Sequence, residues 1–247
     1  MKTVGIIPAR YGSTRFPGKP LADLGGKPVI QHVVERCQIA LPNVIVATDD
    51  QRIINAVKKF GGNAMMTRRD HKSGSDRIAE IAAQIDAEII VNIQGDEPFI
   101  APEMILSAIS PLETHTEIKI VTLIREIKNP KDFSNPNIVK VVVNQQQEAL
   151  YFSRSQIPYT RYAGHGPIYE HIGLYAYRKT FLLKYIQWPP TPLEKAESLE
   201  QLRILENGYP IQTIETNLGY GAPCIDTPED LERARNYLKF NSSINDL

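Results

Sequence analysis

Short β-branched runs alternate with stretches of helical period through the first hundred or so residues, and this alternation narrows the fold more than any other feature of the chain. Val4, Ile6 and Ile7 read as a buried strand; Ile30, Val33, Val34, Cys37 and Leu41 then fall at i, i+3, i+4, i+7 and i+11, one face of a helix. Residues 43–48 read as the next strand, 51–60 as a helix and 63–67 as a weak strand. Ile78, Ile81, Ala82 and Ile85 repeat the helical spacing before an apolar strand at 88–94. Such β-α-β-α order predicts an α/β fold with a largely parallel sheet, helices on both faces, and ligands bound beyond the carboxyl ends of the strands. Two loops, 10–19 and 95–98, lie at such ends and are expected to face one crevice.

From residue 118 onward the pattern turns strand-rich, with strands expected at 119–126, 138–144, 149–153 and 168–178, as an extension of the sheet. Helical period returns at Ala196, Leu199, Leu202 and Leu205. It returns again after Asp226, where Thr227 can cap, Pro228 suits the first helical position and Asp230 sits in the first turn. At 247 residues one domain suffices, spanning 1–247. Basic and acidic residues balance at 28 each, so no global field steers the chain to nucleic acid. No run approaches the ~18 apolar residues of a membrane span, and Cys37 and Cys224 are expected as unpaired core thiols. The expected location is the cytoplasm, without membrane insertion.

Chemistry concentrates in residues 8–20, PARYGSTRFPGKP. Its glycines allow close backbone approach, Ser13 and Thr14 offer hydroxyls, and Arg10, Arg15 and Lys19 can neutralise a triphosphate. It is not a Walker loop, since five residues separate Gly12 from Gly18 and Pro20 stands where a magnesium-binding hydroxyl would be. Asp96, closing an apolar strand, can hold a hard cation or cap the following turn; Asp226, before a helix start, has the same two readings. His171, Gly173 and Tyr175 share one face of a strand by two-residue alternation, a surface for sugar hydroxyls or simply for solvent. Glu200 and Gln201 would ordinarily be exposed helix polars.

The segment 7–21 strongly resembles the 3-deoxy-manno-octulosonate (Kdo) cytidylyltransferase family, with Phe16 where that family usually has Leu. Further resemblance runs through 71–77 (HKSGSDR), 94–98 (QGDEP), 151–158 (YFSRSQIP), 171–175 (HIGLY), 199–203 (LEQLR) and 226–230 (DTPED). The opening block resembles nucleotidyltransferases at large, sialic-acid-activating enzymes included; the later blocks narrow the likeness to the Kdo enzymes. The resemblance implies a Rossmann-like nucleotidyltransferase fold, a homodimer, CTP and Kdo as substrates, Mg2+ as cofactor, and sugar binding and dimerisation through the strand-rich region at about 118–178. It implies that Arg10, Ser13, Lys19 and Arg77 bind the nucleotide and its phosphates, with Ala9 and Gly74 framing the base. Asp96 and Asp226 would coordinate the metal, and Arg10, Lys19, Asp96 and Asp226 would carry catalysis. Gln94, Arg154, His171, Tyr175, Glu200 and Gln201 would form the sugar-acid pocket.

Overall fold

In the computed structural model, residues 1–161 and 166–245 are described, with side chains described as far as residue 240. They gather into two compact units, 1–106 with 218–247, and 107–217. The first unit runs β1 (Thr3–Ala9), a short hairpin β2 (Asp23–Leu24) and β3 (Lys27–Pro28), α1 (Val29–Ala40), β4 (Val44–Thr48), α2 (Gln51–Lys59), β5 (Asn63–Met66), α3 (Gly74–Gln84) and β6 (Ile89–Asn92). After β6 comes α4 (Pro102–Thr114), which sequence reading missed.

Strands β6, β1, β4 and β5 lie side by side in that order, all parallel. The chain moves outward from β1 to β5 and then crosses back to place β6 on the other side of β1. The order therefore reverses between β1 and β6, and loops leaving their carboxyl ends diverge to open a crevice. Every residue of β6 is buried, as expected of a strand covered on both faces. Helix α1 buries Val29, Ile30, Val33, Val34 and Cys37 on one stripe, each large aliphatic contributing roughly 1.5–3 kcal/mol by leaving water. Cys37 is a core thiol as expected, whereas Cys224 is exposed: it sits in a turn-rich loop where no amphipathic element turns it inward.

The second unit holds β7 (Ile120–Glu126), β8 (Lys140–Val143), β9 (Ala149–Ser153), β10 (Tyr169–Arg178), α5 (Lys179–Tyr185), α6 (Pro192–Glu197), α7 (Leu202–Glu206) and β11 (Gln212–Glu215). Here β11 runs parallel to β7, while β7 with β10, β10 with β8, and β8 with β9 pair antiparallel. The four strands expected between residues 118 and 178 are present with slightly shorter ends. The single helical stretch inferred from Ala196 to Leu205 is instead two short helices, because Ser198 adopts a left-handed conformation (φ 52°) that ends α6. Glu200 and Gln201 consequently lie in the turn between the helices. The closing helix, α8 (Pro228–Asn245), returns to the first unit. Leu231 and Ala234 pack there with Leu24, Val29 and Ile225.

Candidate functional site

The loop after β1 is shaped by local backbone bonds. Gly18 N–H and Ser13 N–H both donate to the Tyr11 carbonyl, at 2.8 and 3.0 Å. Gly18 takes φ 75°, and a Cβ there would meet the Tyr11 ring at 3.1 Å, so glycine alone fits without strain. A 3-10 turn, Lys19–Leu21, follows, its Pro20 buried, which fixes the direction in which Lys19 leaves the loop. Gly95, after β6, approaches β1 so closely that a Cβ would sit 3.0 Å from the Pro8 carbonyl.

These loops and the start of α3 enclose a cleft of about 250 Å³. Ala9, Arg10, Ser13, Lys19, Gly74, Arg77, Gln94, Asp96 and Asp226 all line it, together with Arg15, expected among the triphosphate-neutralising cations, and residues 71–73, to which the sequence reading gave no individual role. Arg10, Arg15, Lys19, Lys72 and Arg77 outnumber the two lining carboxylates, so the cleft favours a polyanion. Its floor is built on α3, which starts with a capping box: Asp76 N–H donates to Ser73 Oγ at 3.1 Å and Ser73 N–H to Asp76 Oδ2 at 3.2 Å. Arg77, on the first turn, is buried, donating to Asp49 Oδ2 at 3.0 Å and to Thr67 Oγ1. Asp49 is thus a charge partner that sequence reading missed, since nothing in its neighbourhood marks it as facing α3.

The acidic pair is joined through the backbone and through Lys19. Ile225 N–H donates to the Asp96 carbonyl at 2.9 Å, bringing the two distant loops side by side. Lys19 Nζ donates to Asp96 Oδ2 at 2.7 Å and to Asp226 Oδ1 at 3.1 Å, and Arg15 reaches Asp226 Oδ2 at 3.2 Å. Burial pulls the Lys19 pKa down, but the two carboxylates outweigh it and hold the ammonium above the ordinary lysine value. The start of α8 is capped by other residues: Asp230 N–H donates to Thr227 Oγ1, while Thr227 and Asp226 N–H groups both donate to Asp230 Oδ2. The Asp226 carboxylate is thereby left to the cleft. Two carboxylates converging on one cationic position are an oxygen set that suits Mg2+, which takes one or two carboxylates and completes its shell with phosphate oxygens and water. Among the described residues no third His, Cys, Asp or Glu joins them.

In the second unit, Gly173 and Leu174 drop out of the β10–β7 ladder, where Ile172 pairs with Leu123 but Tyr175 with Thr122. Because two residues are inserted, the two-residue alternation survives, and the His171 and Tyr175 rings meet at 5.3 Å. Thr122 Oγ1 takes up the loosened carbonyls, donating to Leu174 O at 2.9 Å, and lies 3.0 Å from His171 Nε2. Burial pushes the His171 pKa down to about 3 and that of Tyr175 well above the usual phenol value, so both are neutral. If the Thr122 proton goes to a carbonyl, its oxygen accepts from His171 Nε2–H, and the tautomer assigned on that basis has Nδ1 as an acceptor. Stacked rings continue from Tyr175 to Tyr177 and Tyr185, and Tyr185 O–H donates to Glu200 Oε1 at 2.5 Å. His171, Tyr175 and Glu200 thus belong to one aromatic ladder, and Gln201 follows Glu200, buried.

Arg154 belongs to a different network. Its guanidinium donates to the carbonyls of Glu197 at 2.8 Å and Pro136 at 3.1 Å, and its own N–H donates to Glu197 Oε2 at 2.9 Å. Beneath it the fully buried Lys140 ammonium donates to three carbonyls, of Asn135, Ile138 and Arg154, at 2.8, 2.6 and 2.6 Å.

Comparison with known proteins places these features in a family. Residues 4–215 match the family model described as cytidylyltransferase. A 3-deoxy-manno-octulosonate cytidylyltransferase of Geobacter metallireducens is 51% identical over 94% of this chain and 96% of its own. One of Geotalea uraniireducens is 52% identical over 97% of this chain and 100% of its own. A solved structure described as CMP:2-keto-3-deoxy-manno-octonic acid synthetase complexed with CTP superposes with a TM-score of 0.94 at 46% identity, covering 98% of this chain and 100% of that one.

Proposed function

This chain belongs to the 3-deoxy-manno-octulosonate cytidylyltransferase family, and from that premise we propose that it transfers CMP from CTP to the anomeric 2-hydroxyl of Kdo, releasing pyrophosphate. The observation that carries this reading is the cation-rich cleft in which Asp96 and Asp226, far apart in sequence, converge on Lys19.

Arg10, Ser13, Lys19 and Arg77 bind the triphosphate, and Ala9 and Gly74, at the cleft wall, frame the base. The start of α3 presents the positive end of a helix dipole, which favours an anion. Asp96 and Asp226 would hold a Mg2+ ion, which when bound neutralises phosphate oxygens and brings reactants into line. The sugar oxygen attacks the α-phosphorus, the bond to the β-phosphate oxygen breaks on the opposite side, and the hydroxyl proton passes to solvent. Arg10 and Lys19 offset the charge that accumulates on the departing pyrophosphate, an electrostatic contribution made by groups already in place. The family resemblance assigns contacts to the sugar acid to Gln94 in the first unit and to Arg154, His171, Tyr175, Glu200 and Gln201 in the second. The His171 Nδ1 lone pair accepts from a sugar hydroxyl, and Arg154 retains guanidinium N–H groups for a carboxylate.

The product is an activated sugar for lipopolysaccharide assembly. A homodimer is the assembly the family resemblance supports, and the free thiols of Cys37 and Cys224 suit the reducing cytoplasm. No helix among the described residues is long and apolar enough to cross a membrane. The test is a pyrophosphate-release assay with CTP, Mg2+ and Kdo. Release above the sugar-free control, with CMP-Kdo formed, is expected; no release rejects the reading.

A further inference from the structure

Lys19 stands where a cation between Asp96 and Asp226 would stand. Its Nζ lies 2.7 Å from Asp96 Oδ2 and 3.1 Å from Asp226 Oδ1, and the side chain is only 12% exposed. The 3-10 turn that begins at Lys19, closed by Leu21 N–H to Gly18 O at 2.8 Å and Ala22 N–H to Lys19 O at 3.1 Å, anchors its backbone. The ammonium is therefore tethered within reach of both acids.

A divalent ion would need the same carboxylates, of which Lys19 holds Asp96 Oδ2 and Asp226 Oδ1 while Arg15 reaches Asp226 Oδ2. Mg2+ sits roughly 2.1 Å from its ligands, so an ion held by both acids would stand within a few ångströms of the ammonium and be repelled by it. To enter alone it must compete with two charge-assisted hydrogen bonds and face a largely desolvated cation. A triphosphate changes this balance by offering the ammonium other anionic oxygens.

We propose that Lys19 acts as an internal counterion that keeps divalent metal off Asp96 and Asp226 until the triphosphate draws its ammonium away, so that metal and nucleotide bind with positive coupling through this one side chain. The proposal rests on the reading of Asp96 and Asp226 as the metal carboxylates. Coupling of this kind is reciprocal: whatever factor the nucleotide adds to metal affinity, the metal adds to nucleotide affinity.

The test uses Mn2+ alone as probe, read by electron paramagnetic resonance of the free ion in a titration of the full-length, nucleotide-free protein. Wild type should bind weakly. Lys19→Met should bind about tenfold or more tightly, in line with ordinary coupling factors, and Lys19→Met combined with Asp96→Asn should lose that gain. Lys19→Arg, which keeps the charge, should resemble wild type. In EDTA, Lys19→Met should melt below wild type, because two carboxylates face each other without a counterion, and Mn2+ should restore it. Lys19→Gln repeats the comparison should Lys19→Met fail to fold.

Unchanged or weaker Mn2+ binding in both uncharged variants, alongside Mn2+ relaxation enhancement by wild type with CTP, overturns the counterion proposal and leaves the metal reading standing. If wild type with CTP gives no enhancement, the metal reading and the proposal fail together.

Discussion

The cleft of the first unit and the surroundings of β8 and β10 in the second treat their polar side chains in opposite ways. In the first, charged groups meet one another in the cleft or beside it: Lys19 with Asp96 and Asp226, Arg15 with Asp226, Arg77 with Asp49. Most of these can exchange a protein partner for a ligand of like charge. In the second, polar groups are absorbed into the framework: Lys140 and Arg154 donate to backbone carbonyls, His171 is neutral against Thr122, and Glu200 accepts from Tyr185. A charge paired with another charge near water is replaceable, whereas a donor holding a buried carbonyl is part of the structure. Substitutions in the first unit should therefore reach turnover before stability, and those deep in the second should reach stability first.

The largest effect is expected at the acidic pair. Asp96→Asn and Asp226→Asn should each lower Mg2+-dependent turnover by about 10³-fold, the scale of losing charge stabilisation worth several kcal/mol at a metal-assisted site. The double variant should lose less than the sum of the singles, since both serve one unit. Capping by Thr227 and Asp230 is untouched by Asp226→Asn, so its melting temperature should hold. Losses that follow unfolding would return these residues to structural roles. Lys19→Ala should cost about 10²-fold in turnover, as expected for one preorganised charge on a transferring phosphoryl group. Normal turnover would reduce Lys19 to a structural partner of the two acids.

Lys140→Met tests the other half of the contrast. It leaves the carbonyls of Asn135, Ile138 and Arg154 without their donor. Relief of the buried charge offsets part of that loss, so a net destabilisation of about 2 kcal/mol is expected. The measurement is the urea midpoint. A midpoint unchanged from wild type, with turnover lowered, would erase the distinction drawn between the units.

How far each unit could be read from sequence follows the same division. The phosphate loop and the Gln94–Asp96 turn were legible because parallel strands place their following loops at one edge, whatever lies between them. The choice between metal ligand and cap at Asp226 was not, because both readings want an acid before a helix; the bonds from Asp230 to the backbone settle who caps. That Lys19 lies between the two acids depends on the backbone bond from Ile225 to Asp96, which no spacing reveals. In the second unit, Ala196, Leu199, Leu202 and Leu205 keep a three-residue period straight through the break at Ser198, so periodicity could not detect it. Strand β11, only four residues of which Gln212, Thr213 and Glu215 are polar or charged, carries no alternation strong enough to read. The surroundings of His171 depend on a two-residue insertion in the ladder, which is a property of pairing with β7 and not of β10 alone.

The smallest effect expected is also the most specific to the second unit. His171 has a folded-state pKa near 3, because burial opposes the charged imidazolium, against about 6.5 in an unfolded chain. Its sign follows from proton counting: below about pH 6.5 the unfolded state binds a proton that the folded state refuses. Stability from this group is therefore complete above about 6.5 and declines as pH falls towards 3, by at most about 1.4 kcal/mol per pH unit. His171→Gln keeps a donor for Thr122 but cannot titrate. Urea unfolding of wild type and His171→Gln at pH 7 and pH 5.5 should show wild type losing about 1 kcal/mol more across the interval, while contributions from the other histidines cancel between the two proteins. Parallel losses would mean that the imidazole gains its proton without leaving its place. His171 would then resemble the exchangeable charges of the cleft rather than the framework groups around Lys140, and the contrast between the units would fail at His171.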